Sequence, residues 1–322
     1  MKLGVLTNVL GKMPLSEAIK IFKELGIESL EIGCGGYPGK QHCDPEKLLS
    51  DEAALSEWLD LIYSNGMDIS ALAVHGNPVH PDKAVAEEYH KDFENAVLLA
   101  EKIGVDTVVT FSGCPGGSPD DKMPNWVTCS WPPEYMDVLD YQWNEVLIPY
   151  WRKTAAFARS HGVTKIAFEM HPGFCVYNPE TLLKLRSAVD DTLGANLDPS
   201  HLIWQGMDPV AAIRELGGAI YHFHAKDTRV DLYNKAKNGV LSVSHYANEA
   251  TRPWIFRTVG YGNGETMWRD IASALRLVGY DKVMSIEHED SLMTPIEGLS
   301  KAAKFLSDII IREEKPKEIS WA

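Results

Sequence analysis

Three acidic residues and one histidine carry the first chemical signal in this chain of 322 residues. Glu169 stands in Phe168-Glu169-Met170-His171-Pro172, and Asp198 in Leu197-Asp198-Pro199-Ser200-His201. His224 stands in His222-Phe223-His224-Ala225-Lys226-Asp227, and Glu287 in Ile286-Glu287-His288-Glu289-Asp290. Each follows an apolar residue, as a buried strand requires, and each falls where a short apolar run gives out. Three carboxylates around one mouth would repel one another and would be costly to bury without a cation. A divalent ion resolves the conflict. Three oxygen ligands and one nitrogen suit Mn²⁺ first, with Mg²⁺ or Co²⁺ as alternatives, better than a structural Zn²⁺. A lone acid at a strand end is often a helix N-cap, and a lone histidine a hydrogen-bonded core residue. Four such residues on four successive strand ends argue for the ion.

For the four to converge, the segments that end on them must be neighbouring parallel strands. Short apolar runs alternate with helical patterns along the chain. Strands are expected at Leu3–Leu10, Ser29–Ile32, Asp68–Val74, Asp106–Phe111, Lys165–Phe168, Gly194–Leu197, Ala219–Phe223 and Lys282–Ile286. Helical spacing marks Leu15, Ala18, Phe22 and Leu25, then 53–63, 92–103 and about 143–160, and finally Leu299, Ala302, Leu306 and Ile309. Eight such units predict one α/β domain over 1–322, a single (β/α)8 barrel. An open doubly wound sheet is the competing architecture, but no GxGxxG follows the first strand. Gly33-Cys34-Gly35-Gly36-Tyr37-Pro38-Gly39-Lys40 is one residue too long for a phosphate loop and lacks the following Ser or Thr, so it reads as a flexible βα loop.

Barrel sites form at the C-terminal ends of the strands, where the four residues stand. Two long insertions follow the fourth and seventh strands, at about 113–133 and 228–264. The first carries Trp126, Trp131 and, just beyond it, Tyr135; the second carries Trp254, Phe256 and Tyr261. Aromatic faces stack on sugar rings, and a lid excludes water from reactive intermediates. Both insertions are therefore expected over the mouth; packing against the barrel or a partner subunit is the alternative.

Composition narrows the partners. There are 31 Lys and Arg against 45 Asp and Glu, a formal charge of −14, which repels phosphate backbones and argues against nucleic acid. No apolar run approaches the ~18 residues of a membrane span. Hydrophobic residues at 45% and charged residues at 24% exclude a disordered chain, a collagen-like fibre and a coiled coil. Five cysteines without CxxC or CxxH spacing fit a reduced, cytoplasmic setting. Met1–Asn8 has neither a long apolar stretch nor a cleavage site, and reads as part of the first strand.

The motifs Glu169-Met170-His171, Asp198-Pro199-Ser200-His201, His224-Ala225-Lys226-Asp227 and Ser285-Ile286-Glu287 together resemble the xylose isomerase-like barrel superfamily of sugar isomerases and epimerases. The resemblance spans nearly the whole chain. It implies that Glu169, Asp198, His224 and Glu287 bind one divalent metal, that the two glutamates move the proton, and that His201 contacts the substrate. A proton alpha to a carbonyl is too weakly acidic to leave unaided; a cation holding the carbonyl and adjacent hydroxyl oxygens stabilises the enediolate that forms. Glu169 and Glu287 on opposite faces would remove and return the proton, giving epimerisation, or isomerisation when it returns to the neighbouring carbon. A lyase on the same scaffold is the alternative: an inosose dehydratase, or the catalytic subunit of a C-glycoside deglycosidase acting on 3-keto-glycosides. Such enzymes expel a β-substituent instead of reprotonating. A multi-zinc endonuclease would want more histidines and a basic groove, and a barrel kept only for partner binding would not need the intact four residues.

Further candidates for substrate contact are His201, His75 at the end of the third strand, His171, Arg229 in the seventh loop, and Trp126 in the first insertion. Glu31 on the second strand is a weaker one, as are Lys226 and Asp227. Glu289 shares the parity of Glu287, and His222, a layer deeper than His224, is expected in the core. The partner is a sugar or keto-sugar, with a homo-oligomer or a second subunit as further possibilities.

Overall fold

Eight parallel strands close into a barrel in the computed structural model, which describes residues 1–314, 318 and 321. The end of the one-domain expectation, which runs to residue 322, lies outside the described residues. The strands in chain order are β1 (Lys2–Leu6), β2 (Ser29–Gly33), β3 (Asp68–Ala73), β4 (Thr107–Thr110), β5 (Lys165–Glu169), β6 (Leu193–Leu197), β7 (Ile220–Ala225), β8 (Asp227–Val230), β9 (Trp254–Arg257) and β10 (Val283–Ile286). β1 to β7 and β10 form the barrel in sequence order, with β10 pairing β7 on one side and β1 on the other. β2, β4, β6 and β10 are buried along their whole length, as strands covered on both faces must be. A small cluster of Leu6, Ala71, Ala73, Val109 and Ala167 fills part of the barrel interior, and the main core lies between the sheet and the surrounding helices.

Three expected elements differ in extent. The first strand stops at Leu6, and Thr7–Leu10 is a 3-10 turn that closes through Gly11 N–H to Asn8 O at 2.9 Å. The helix expected over 92–103 begins at Lys83, because Asp82 caps it by accepting from Ala84 N–H. Residues 83–92 include Ala84, Val85, Ala86 and Tyr89, but none of them is buried, and the buried apolar stripe starts only at Phe93. The helix expected from about 143 is α-helical over Ile148–Ser160 and π-helical over Tyr141–Leu147. Pro149 offers no N–H to the preceding turn, which loosens the ladder at that junction.

Several helix starts reuse one device: an Asp, Asn or Thr cap followed by proline in the first turn. It occurs at Asp44-Pro45, Asn178-Pro179, Asp198-Pro199, Asp208-Pro209 and Thr294-Pro295. Proline presets the helical φ and gives up an N–H that has no partner there. Asp198 is thus held at a strand-to-helix corner by the rules of helix capping.

The second insertion contains structure that the sequence reading did not anticipate. β8 and β9 form an antiparallel pair, Asp227 opposite Arg257 and Val230 opposite Trp254, with a helix over Leu232–Asn238 between them. Residues 113–133 hold no strand or helix. No helix among the described residues is long and apolar enough to cross a membrane.

Candidate active site

Glu169 ends β5, Asp198 follows β6, His224 sits near the end of β7 and Glu287 follows β10. One ligand atom from each lies within 4.8 Å of the others. Each side chain anchors itself on one atom and offers another to the common space. Asp198 Oδ1 accepts from Ser200 N–H at 2.8 Å as the helix cap, while its Oδ2 lies 3.0 Å from Lys226 Nζ. His224 Nε2 meets Glu31 at 2.9 Å, while Nδ1 lies 2.9 Å from Glu287 Oε2, an oxygen that is also 2.9 Å from Lys226 Nζ. Glu169 Oε1 accepts from His201 Nε2 at 3.0 Å, and its Oε2 lies 3.3 Å from His224 Nδ1.

Asp198 Oδ2, His224 Nδ1 and Glu287 Oε2 crowd one point, where the Lys226 ammonium supplies the compensating charge for the two carboxylates. The electrostatics agree. Burial raises the Asp198 carboxyl to about 7, against the pull of Lys226, with the Glu169 and Glu287 charges adding to the rise. Burial also raises Glu287, but the neighbouring Lys226 and His224 outweigh it and hold that carboxyl at about 2. Burial raises Glu169 likewise, and hydrogen bonds to His201, His224 and His75 bring it well below the usual range. Three carboxylates and an imidazole whose donor atoms converge are a set that a divalent cation takes, and the Lys226 ammonium beside Asp198 and Glu287 marks where positive charge is held, so the residues fit the ion.

A cavity of about 350 Å³ opens beside these residues. Glu169, Glu287 and Glu289 line one part of it, His75 and His171 another, and Leu6, Asn8, Tyr37 and Pro38 close the far side. Phe111 and Phe174 stack at 4.2 Å to form an aromatic wall, with the His75 ring edge-on to Phe111 at 4.6 Å. His171 packs against the His201 ring at 4.1 Å. Burial, with His171 and Lys226 adding to the effect, lowers His201 to about 3, so it is neutral and its Nε2–H donates to Glu169.

Other expected residues lie elsewhere. Arg229 is exposed on β8 and donates to Gly262 O at 3.2 Å, away from the cavity, because the β8–β9 pairing turns it outward. Trp126 packs edge-on against Tyr177 at 5.6 Å and lines a separate cavity of about 390 Å³ with Trp143 and Lys184. The first insertion is held on that flank by Gln142, whose Nε2 donates to the carbonyls of Pro115 at 3.1 Å and Gly116 at 3.2 Å. The second insertion does reach the site: the Phe256 ring lies 5.3 Å from that of His201 and 4.7 Å from Lys226 Nζ. His222 is a core residue, bonded to Asn196 Oδ1 at 3.1 Å and Ser70 Oγ at 3.2 Å. Glu31 is buried and lines no part of the cavity.

Lys226 is the residue that sequence reasoning undervalued. It is fully buried beside Asp198, Glu287 and Glu289, not in a solvated turn. The signal was present: His222, His224 and Lys226 share one face by the period of two, which persists one residue past the strand.

A closed eight-stranded parallel barrel with an acidic and histidine cluster at its C-terminal mouth defines a (β/α)8 barrel with a candidate metal centre. The chain belongs to the xylose isomerase-like TIM barrel family, whose description fits residues 19–309. It is 40% identical over 313 residues to the uncharacterized protein YfiH of Bacillus subtilis (strain 168), covering 96% of this chain and 99% of that one. It is 29% identical over 170 residues to an inosose dehydratase of Clostridium botulinum (strain Alaska E43 / Type E3), covering 52% of this chain and 54% of that enzyme. Among solved structures, the IOLI protein with a bound zinc atom matches with a TM-score of 0.66 at 20% identity, over 96% of this chain and 98% of that one.

Proposed function

We propose that this chain is a divalent-metal-dependent sugar isomerase or epimerase that abstracts a proton alpha to a carbonyl. The observation that carries the reading is the convergence of Glu169, Asp198, His224 and Glu287, each offering one ligand atom within 4.8 Å of the others. These four would hold one ion, Mn²⁺ foremost, with Mg²⁺, Co²⁺ and the Zn²⁺ of the IOLI structure to be compared. The ion, when bound, would polarise the substrate carbonyl and raise the acidity of the adjacent C–H.

The remaining work falls to this chain's own groups. Glu287, whose side chain is 14% exposed, faces the cavity and is placed to take the proton. Glu169 faces the same cavity and is placed to return it, its carboxylate oriented by the neutral His201. His75 and His171 offer ring nitrogens to substrate hydroxyls, and the Phe111–Phe174 wall excludes water and supports a ring face. The family description, xylose isomerase-like, supports the isomerase side of this reading.

The inosose dehydratase relative favours a second outcome, loss of a β-hydroxyl or of a larger β-substituent from a 3-keto-glycoside. Glu289, hydrogen-bonded to Lys226 at 3.1 Å on the cavity wall, is the pair placed to protonate such a leaving group. NMR of the metal-loaded protein in D₂O with keto-sugars, inososes and 3-keto-glycosides tests both. Deuterium uptake without loss of a group supports the isomerase or epimerase; release of a group supports the lyase. Absence of both with every divalent ion sinks the proposal.

A further inference from the structure

We propose that Glu31 is a positioning residue that fixes the ring and tautomer of His224 so that Nδ1 is presented to a divalent cation; this rests on the reading that Glu169, Asp198, His224 and Glu287 hold such an ion. Glu31 lies on β2 and His224 on β7, which are not neighbours in the barrel: β1 and β10 stand between them. No sheet register requires their side chains to meet, yet both Glu31 oxygens lie 2.9 Å from His224 Nε2. Both residues are fully buried.

The hydrogen bonding assigns the roles. Ser285 Oγ donates to Glu31 Oε2 at 2.8 Å, so the carboxylate acts as acceptor toward Ser285 and toward His224. The hydrogen between Glu31 and His224 therefore sits on Nε2. With Nε2 held by Glu31, Nδ1 is the atom left to face Glu287 and Glu169, and a bound ion would take the place of any hydrogen that Nδ1 carries toward those carboxylates. The opposite tautomer would aim an N–H at the cation. His222 does not compete for Glu31: its Nδ1 is 3.8 Å from Glu31 Oε2 and is bonded to Asn196 instead. A buried carboxylate is costly, and a second partner for a ligating histidine is the use that explains this one.

The test compares wild type, Glu31→Gln and Ser285→Ala. Mn²⁺ affinity is measured by titration calorimetry, and the His224 Nε2–H resonance by ¹H–¹⁵N NMR of the Zn²⁺-loaded protein. Glu31→Gln keeps shape and an acceptor but loses the charge, and is expected to weaken Mn²⁺ binding roughly 10–100-fold. The Nε2 proton is expected far downfield and slow to exchange in wild type, and upfield and faster in Glu31→Gln. Ser285→Ala should shift both readouts in the same direction by smaller factors, and decides the matter if Glu31→Gln does not fold. Unchanged Mn²⁺ affinity in the variants overturns the role of Glu31, as does weakened binding with an unmoved Nε2 resonance. A wild-type protein that takes up no divalent ion overturns the metal reading, and this inference with it.

Discussion

Lys226 Nζ lies 2.9 Å from Glu287 Oε2, and the same ammonium is 3.0 Å from Asp198 Oδ2. A buried cation therefore touches two of the carboxylates assigned to the ion. Removing one side of a buried ion pair leaves an uncompensated charge and costs about 3–5 kcal/mol. Lys226→Met should destabilise the metal-free protein by about that amount. Added Mn²⁺ should recover much of the loss, because it supplies positive charge to the same oxygens. Unfolding midpoints with chelator and with Mn²⁺ provide the check. If the variant gains no more from Mn²⁺ than wild type does, Lys226 and the ion do not share those carboxylates.

Glu287→Gln and Asp198→Asn should separate proton transfer from metal holding. Glu287→Gln keeps one oxygen ligand but loses the base, so α-proton exchange should fall by roughly 10²–10⁴ even when metal is saturating. Asp198→Asn should act by loosening the ion, and excess Mn²⁺ should restore part of its activity. Metal content and deuterium exchange are measured together. A metal-loaded Glu287→Gln that exchanges at the wild-type rate would reduce Glu287 to a ligand and sink the two-base mechanism.

The end of the second insertion hangs on Asp227. Its Oδ2 accepts from the backbone N–H groups of Gly260 at 3.0 Å, Gly262 at 3.1 Å and Asn263 at 3.0 Å, and from Trp268 Nε1 at 3.2 Å. A Cβ on Gly262 would sit 2.4 Å from Thr228 O and 2.5 Å from Asp227 Oδ1, so the loop closes only on a residue without a side chain. Asp227→Ala orphans several buried donors at about 1–3 kcal/mol each and should cost about 3 kcal/mol or more. Denaturant midpoints and proteolysis within 228–264 report the effect. A variant as stable and as protease-resistant as wild type would show that the insertion is held by other contacts.

The barrel and its four strand-end residues were legible because both rest on local signals. Short apolar runs mark buried parallel strands, and the residue ending each run marks the mouth. Asp198 shows how two local readings coexist: one oxygen caps a helix, as strand-end acids often do, and the other faces the site beside Lys226 Nζ. What escaped depends on distant pairings. Asp227–Val230 and Trp254–Arg257 are short, and nothing within either announces the other. Glu31 meets His224 across 193 residues. Aromatic content marked Trp126 as notable, but a loop's composition does not say which cavity its side chains line, and this one lies on the flank.

The opposite end of the barrel yields a prediction about pH. Lys282 is exposed on that rim, its Nζ 3.3 Å from Tyr221 O; partial desolvation and the nearby Lys165 push its ammonium down to about 8, against the pull of Asp106. In an unfolded chain a lysine titrates near ~10.4. Below pH 8 both states carry the proton, and the folded state bears the cost of holding that charge beside Lys165, reduced by solvent screening. As pH rises from about 8 toward ~10.4, the folded protein gives up the proton while the unfolded chain keeps it. The unfolded state then binds more protons, so stability contributed through Lys282 rises with pH across that window. Lys282→Met removes the titration and the like-charge contact with Lys165 together. It should be more stable than wild type at pH 7, and the difference should shrink toward pH 10, since other groups titrate alike in both proteins. Denaturant midpoints for the two proteins at half-unit steps from pH 7 to about 10 give the comparison. Parallel curves would show that the Lys282 ammonium is as well solvated in the folded barrel as in the open chain.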